Sequence, residues 1–200
     1  MDSEPQKREI VLSEHPSGVP DENTFGFNDI KIPEIQEGGV LLKSLYVSID
    51  PGMRGFMDKG NDDAAGNKFE IDKPIISRTV AQVVKSRNKD FERGCIIHGR
   101  LAWQKYQSAE ADGLEKVNPD LAPISTAVSM LGVPGLAAYF GMLKIGQPNE
   151  GETVVVSGAA GSVGSIASQI ARIKGCKVVG IAGSPKKSNT WRTIWDWPKA

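Results

Sequence analysis

The sequence predicts a mixed α/β chain: a β-rich first part, then the opening of a parallel, doubly wound sheet. Three observations carry this. Before residue 125, short apolar and β-branched runs alternate with Pro, Gly, Asn and Asp turns. Beyond it, apolar residues recur at helical spacing. Between residues 153 and 182, two unbroken apolar runs flank a helical segment long enough for a right-handed crossover.

The elements follow in order. Ile10 to Leu12 precedes a Pro/Gly-rich turn at Pro16 to Pro20. Gly39 to Ile49 is β-rich, and Asp50-Pro51-Gly52 breaks it. Asn61 to Lys68 is polar and reads as an exposed loop. Thr79 to Val84 is a strand with a turn at Arg87 to Asp90, and Gly94 to Gly99 is another. Such spacing suits a small barrel or sandwich. Ser125 to Leu143 reads as two helical pieces interrupted by Pro134-Gly135, and Gly146 to Gly151 as a connector. Thr153 to Ser157 reads as a continuous apolar run, Val154 to Val156 between two hydroxyl residues, as expected of a parallel strand buried on both faces. A helix over Ser162 to Lys174 and a second buried strand over Lys177 to Ala182 complete a βαβ unit. The expected domains are 1–125 and 126–187, with 188–200 as an atypical tail.

Composition narrows the function classes. The 200 residues are 40% hydrophobic and 24% charged, ordinary for a globular protein. Lys+Arg and Asp+Glu both count 24, so no basic field exists to gather nucleic acid or an anionic membrane. The N-terminus lacks the apolar core of a signal peptide, and no apolar run approaches the roughly 20 residues of a membrane span. A cytoplasmic protein with neither nucleic-acid nor membrane partner is expected. The two cysteines, Cys95 and Cys176, make no disulfide framework. His15 and His98 lie far apart, and Cys95 and His98 would point to opposite faces of a strand, so no metal site is expected. His98 is expected to be a satisfied structural histidine. No Gly-x-Ser-x-Gly elbow supports serine hydrolysis.

The chemistry concentrates in the turn Ser157-Gly158-Ala159-Ala160-Gly161-Ser162-Val163-Gly164. Its three glycines fall three apart, a variant of the usual dinucleotide spacing. Gly158 would let the chain leave the strand sharply, Gly161 would let backbone approach a pyrophosphate, and Gly164 would let the helix pack closely on the strand. Free N–H groups near Ser162 and Val163 would face the anion. A turn that merely packs tightly is the competing account. About 20 residues on, an NAD site places an acid for the ribose 2′-OH. Here Ile181-Ala182-Gly183-Ser184 holds none, and Lys186-Lys187 follows. An acid would repel a 2′-phosphate, whereas lysine attracts it and serine can donate to it. NADP(H) is therefore the expected cofactor, with Gly183, Ser184 and Lys187 at its phosphate end; a solvated lysine pair is the alternative.

Three stretches, Leu45 to Gly55, Leu131 to Gly141 and Ser157 to Ser165, resemble the zinc-independent branch of the medium-chain dehydrogenase/reductases. Within it the chain is most similar to the prostaglandin reductase, or leukotriene B4 12-hydroxydehydrogenase, group, which includes NADP-dependent alkenal and enone double-bond reductases. The resemblance runs from about residue 8 to residue 188. It implies a GroES-like β-barrel domain for substrate, followed by a Rossmann domain for NADP(H). It implies hydride delivery from NADPH to the β-carbon of an α,β-unsaturated ketone or aldehyde, then protonation of the enolate. Gly161 to Gly164 would hold the pyrophosphate and Lys187 the 2′-phosphate. Tyr46 and Arg54 match residues beside the substrate cleft, with Trp103 in a comparable segment. Core packing is the competing role of Tyr46 and Trp103, and a structural tie that of Arg54.

The sequence departs from the family pattern in places. Gly52 stands where relatives carry Tyr, and a glycine-rich stretch expected around 76–79 reads Ile76-Ser77-Arg78-Thr79. The residues after Ser188, with three tryptophans, do not match the family's continuation. The expectation is an incomplete Rossmann sheet in a C-terminally truncated chain, with an unpaired apolar edge at Lys177 to Ala182 that favours aggregation or a partner. A homodimer is implied for the full-length form only. Two other functions stay open: a non-catalytic isoform with residual nucleotide binding, and a quinone reductase of the same superfamily.

Overall fold

The computed structural model describes residues 8–60 and 68–189. The expected loop at 61–68, save Lys68, and the tail beyond Asn189 lie outside the described residues. The chain divides into two units, Met1–Val128 and Ser129–Ala200.

In the first unit β1 (Arg8–Leu12) and β2 (Phe25–Asp29) form an antiparallel ribbon, registered from Arg8 opposite Asp29 to Leu12 opposite Phe25. Asp21 caps the single 3-10 turn between them, accepting from the Asn23 and Thr24 N–H groups. The main sheet has five strands: β3 (Val40–Val47), β4 (Ile76–Ser86), β5 (Ile96–Ala102), β6 (Tyr106–Ala109) and β7 (Glu115–Lys116). Their order is β6-β3-β4-β5-β7, with every pairing antiparallel. Among the described residues the edge strands β6 and β7 do not pair with each other. Among those residues the sheet is open between β6 and β7. β7, of only two residues, is too short to carry the curl round to β6.

One face of the sheet carries Val40, Leu42, Ala81, Val83, Ile97 and Leu101, the alternate residues of three strands. Val40, Leu42 and Ile97 are fully buried, each worth about 1.5–3 kcal/mol of apolar transfer. A second cluster of Leu12, Met53, Met57, Phe69 and Ile75 lies under the ribbon. Backbone bonds hold the ribbon there. Ile10 N–H donates to the Trp103 carbonyl (2.8 Å), Ile75 N–H to Ile10 (2.9 Å) and Trp103 N–H to Ile75 (2.7 Å). The break at Asp50-Pro51-Gly52 opens a short helix, α1 (Gly52–Phe56), which delivers Met53 to this cluster.

The second unit begins with α2 (Val133–Phe140). Pro134 and Gly135 do not interrupt a helix, as the sequence had suggested; they start one. Proline lacks only an N–H that the first turn leaves unpaired anyway, and a Cβ at Gly135 would strike the Met130 carbonyl. The helix runs on as a π turn over Gly141–Gly146, which ends at left-handed Gln147 (φ 43°). Then β8 (Thr153–Val156), α3 (Ser162–Ile173) and β9 (Lys177–Gly180) form a parallel βαβ unit, with Val156 opposite Gly180.

Ala167, Ile166 and Ile170 of α3 pack against Val154, Val156 and Val178. The opposite face is open: Val155 is 61% and Val179 50% exposed. This corrects the expected burial of both faces. Alternate residues of a strand point to opposite sides, and both helices that pack in this cluster lie on the Val154–Val156 side.

Candidate active site

The second unit builds a cradle at the carboxyl ends of its two strands, the edge where open α/β sheets bind ligands. β8 ends at Val156, and the chain turns at Gly158 with φ +57°, a region that glycine enters without a Cβ penalty. Gly161 N–H donates to the Gly158 carbonyl (2.8 Å), closing the turn. A Cβ at Gly164 would run into the same carbonyl, lying 2.9 Å from Gly158 C and 3.0 Å from Ala159 Cα. The close approach at Gly164 is thus between the helix and its own entry turn, rather than with the strand. At Gly158 a Cβ would meet nothing within 4 Å, so that side of the turn is open.

α3 then starts at Ser162 with Gly161 as its cap residue and no side chain capping it. The N–H groups of Ser162, Val163 and Gly164 have no intrahelical acceptor. The helix dipole adds about half a positive charge there. An anion is the complementary partner, so the residues fit a pyrophosphate.

The second strand reaches the same place. Ile181 N–H donates to the Val156 carbonyl (2.9 Å), and Ala159 N–H donates to the Ile181 carbonyl (3.0 Å), tying the glycine turn to the segment after β9. Gly183 follows in open space. Ser184 heads a helical turn over 185–189: its Oγ accepts from Lys187 N–H (3.3 Å), and its carbonyl accepts from Ser188 N–H (3.0 Å). Pro185 occupies the first helical position, where its fixed φ suits it. Lys186 and Lys187 are both exposed. Gly158, Gly161, Ser162, Val163 and Gly164 thus lie in one turn and helix start, tied at Ala159 to Ile181, and Gly183, Ser184 and Lys187 follow Ile181 in the chain.

The first unit carries an apolar pocket of about 470 Å³ between the ribbon and β3, with Phe27, Leu45, Tyr46, Val47 and Trp103 in its walls. That is a size small-molecule sites commonly have. Three consecutive residues of a regular strand cannot line one wall, because alternate side chains diverge. Here the register between β3 and β4 slips between Ser44 and Tyr46, leaving Leu45 without a partner. Such a bulge bends the strand and re-aims its side chains. Leu45, Tyr46 and Val47 therefore share the wall, and Tyr46 remains 47% exposed.

Tyr46 and Trp103 come together, and Arg54 does not join them. The Arg54 guanidinium donates to the carbonyls of Gly18 (2.7 Å) and Pro16 (3.1 Å) and pairs with Asp58, tying α1 to the turn at 16–18. Sequence reasoning missed Phe27 and Ser77. β2 has the alternating Phe25 and Phe27 of a strand, but Gly26, Asn28 and Asp29 disguise it. Ser77 is 6% exposed, and its Oγ accepts from the Trp103 indole N–H at 2.7 Å.

His98 is only partly satisfied. Its Nδ1 stands 3.8 Å from Glu115, beyond hydrogen-bond range, and its buried Nε2 has no partner. Burial holds its pKa below the ordinary value and Arg78 adds to that, while Glu115 opposes. Cys95 packs on the opposite side of the sheet, against the cluster that holds Ile97 and Leu101. Among the described residues no three His, Cys, Asp or Glu side chains converge as metal ligands, and no helix is long and apolar enough to cross a membrane.

Comparison with known proteins fits this arrangement. Residues 8–117 match the family described as the N-terminal domain of oxidoreductase. Mouse prostaglandin reductase 1 is 40% identical over 185 residues, covering 91% of this chain and 54% of that protein. The NADPH-dependent curcumin reductase of Escherichia coli is 38% identical over 182 residues, covering 91% of this chain and 52% of the relative. The crystal structure of CurA from Vibrio vulnificus in complex with NADPH superimposes with a TM-score of 0.85 at 36% identity, over 96% of this chain and 56% of that one. The chain spans about half the length of the curated relatives it matches. With the matching domain, the βαβ unit and these relatives in agreement, the chain belongs to this oxidoreductase family, within the prostaglandin reductase and alkenal reductase group of the zinc-independent medium-chain dehydrogenase/reductases.

Proposed function

We propose that this chain is the substrate-sheet and pyrophosphate-binding part of an NADPH-dependent reductase of carbon–carbon double bonds in α,β-unsaturated ketones and aldehydes. The observation that carries the reading is the uncapped start of α3 behind the Gly158–Gly164 turn. Ser162, Val163 and Gly164 would hold the pyrophosphate through backbone N–H groups. Ser184 and Lys187 would hold the 2′-phosphate, since no carboxylate lies between Ile181 and Asn189 to repel it. When bound, the reduced nicotinamide supplies the hydride for the β-carbon of the enone. The apolar pocket would take the hydrocarbon part of the substrate, and Tyr46 offers a hydroxyl to its carbonyl end.

Calorimetry on the whole chain with NADPH and NADH, followed by NADPH oxidation with 3-nonen-2-one and with saturated 2-nonanone, tests the proposal. Heat with NADPH alone and turnover of the enone alone are expected. Absence of heat from both coenzymes on folded protein sinks the assignment. Binding without turnover leaves a nucleotide-binding module, and turnover of quinones alone makes it a quinone reductase.

A further inference from the structure

We propose that Ser77 acts as a positioning residue: its hydroxyl fixes the Trp103 indole and thereby sets how long an apolar chain the pocket accepts. The inference rests on the reading of that pocket as the substrate site.

The Trp103 backbone is held twice, by its N–H to the Ile75 carbonyl (2.7 Å) and by its carbonyl from Ile10 N–H (2.8 Å). Only the side-chain torsions remain free. The ring stands between two environments. It packs against the cluster of Leu12, Met53, Met57, Phe69 and Ile75, and it also walls the pocket with Phe27 and Tyr46. Apolar contact alone therefore does not choose its angle. The Nε1–H bond to Ser77 Oγ at 2.7 Å does. Ser77 sits in β4, 6% exposed, and its own hydroxyl proton goes to the Arg78 carbonyl (3.3 Å), which leaves a lone pair directed to the indole. Without that oxygen the indole N–H loses its partner. It can recover one only by turning the ring toward the open pocket, which shortens the space for a chain.

The test compares 2-nonanone with 2-butanone, titrated into the parent chain and into Ser77→Ala, Ser77→Cys and Ser77→Thr. Indole ¹H–¹⁵N signals are followed, with that of Trp103 identified from Trp103→Phe. Ser77→Ala should shift the Trp103 indole signal and weaken 2-nonanone about three- to tenfold, the worth of one hydrogen bond, with 2-butanone unchanged. Ser77→Cys, a near-isosteric and poorer acceptor, should do the same if the alanine variant fails to fold. Ser77→Thr should restore both readouts. In a Trp103→Phe background, Ser77→Ala should add less than about twofold, the non-additivity of residues that act as a unit. Equal loss for both ketones, or the same loss in the Trp103→Phe background, overturns the inference and leaves the pocket reading intact. Failure of 2-nonanone to bind the parent chain overturns the pocket reading, and this inference with it.

Discussion

Gly164→Ala puts two physical effects in direct opposition. Judged by helix propensity alone, alanine in an α-helix is better than glycine by about 1 kcal/mol. The structure reverses the sign. The added methyl would overlap the Gly158 carbonyl and lie 2.9 Å from Gly158 C and 3.0 Å from Ala159 Cα. All of these are backbone atoms of a closed turn, which cannot rotate aside as a side-chain tip can. Overpacking typically costs about 1–3 kcal/mol, and a rigid backbone target belongs at the top of that range. The net expectation is a loss of about 2 kcal/mol, once the propensity gain is subtracted. Gly141→Ala is the matched control: Gly141 is also helical, at φ −57° and ψ −45°, but its Cβ meets nothing within 4 Å. It should gain up to about 1 kcal/mol. Because the chain has two units, one global melting curve would mix them. Amide hydrogen exchange of α3, read residue by residue, isolates the effect. Protection in α3 should fall in Gly164→Ala, and NADPH affinity should fall with it. If α3 becomes more protected in Gly164→Ala, the steric argument for the cradle is wrong.

Other expectations can be checked alongside it. Lys187→Glu should weaken NADPH about 10- to 100-fold and leave NADH unchanged by calorimetry, since a charge-assisted bond of about 1.5–3 kcal/mol is lost. His98 has its pKa lowered by burial, so as pH falls below about 6.5 the unfolded chain takes up the proton first and stability declines until the folded pKa is passed. The fall in melting temperature between about pH 7.5 and pH 5.5 should therefore be smaller in His98→Gln, as read by calorimetric scans. Val155→Thr with Val179→Thr should reduce self-association in sedimentation with stability changed by less than about 1 kcal/mol, because both side chains lie half or more exposed.

The turn proposed as a phosphate cradle stands out in the sequence because its signals are local. A strand, three spaced glycines, a helix and a second strand lie within 28 consecutive residues, Thr153 to Gly180, with Gly158 set by its positive φ and Gly164 by close contact. Pro134 was misread because a proline signals both a helix break and a helix start, and only the turn before it decides. β6 and β7 escaped notice because strands of four and two residues carry too few alternations to stand out. Burial of β8 was misjudged for a different reason. An apolar run reports what the chain could bury, whereas exposure depends on which helices come to cover it. The structural role open to Arg54 in the sequence matches its contacts, since its guanidinium is occupied by two carbonyls and a carboxylate on the α1 side.

The pocket shows why a candidate substrate site is harder to read than a candidate phosphate cradle. Its walls come from residues 27, 45 to 47 and 103, brought together by antiparallel pairing across long stretches of chain. What makes them converge is a single unpaired residue, Leu45, which the binary pattern of β3 conceals: Val40 to Val47 reads as an ordinary strand whichever way the slip falls. The same holds for Ser77: the sequence marks Ile76 to Thr79 as a departure from the family pattern but gives no reason to pick out its hydroxyl. Its effect comes through Trp103, 26 positions away and just past the end of the next strand, β5. A bulge and a buried hydroxyl are both invisible to periodicity because each changes direction without changing composition. A glycine turn can thus be inherited as a short motif, while the shape of a pocket is set by register and by single hydrogen bonds.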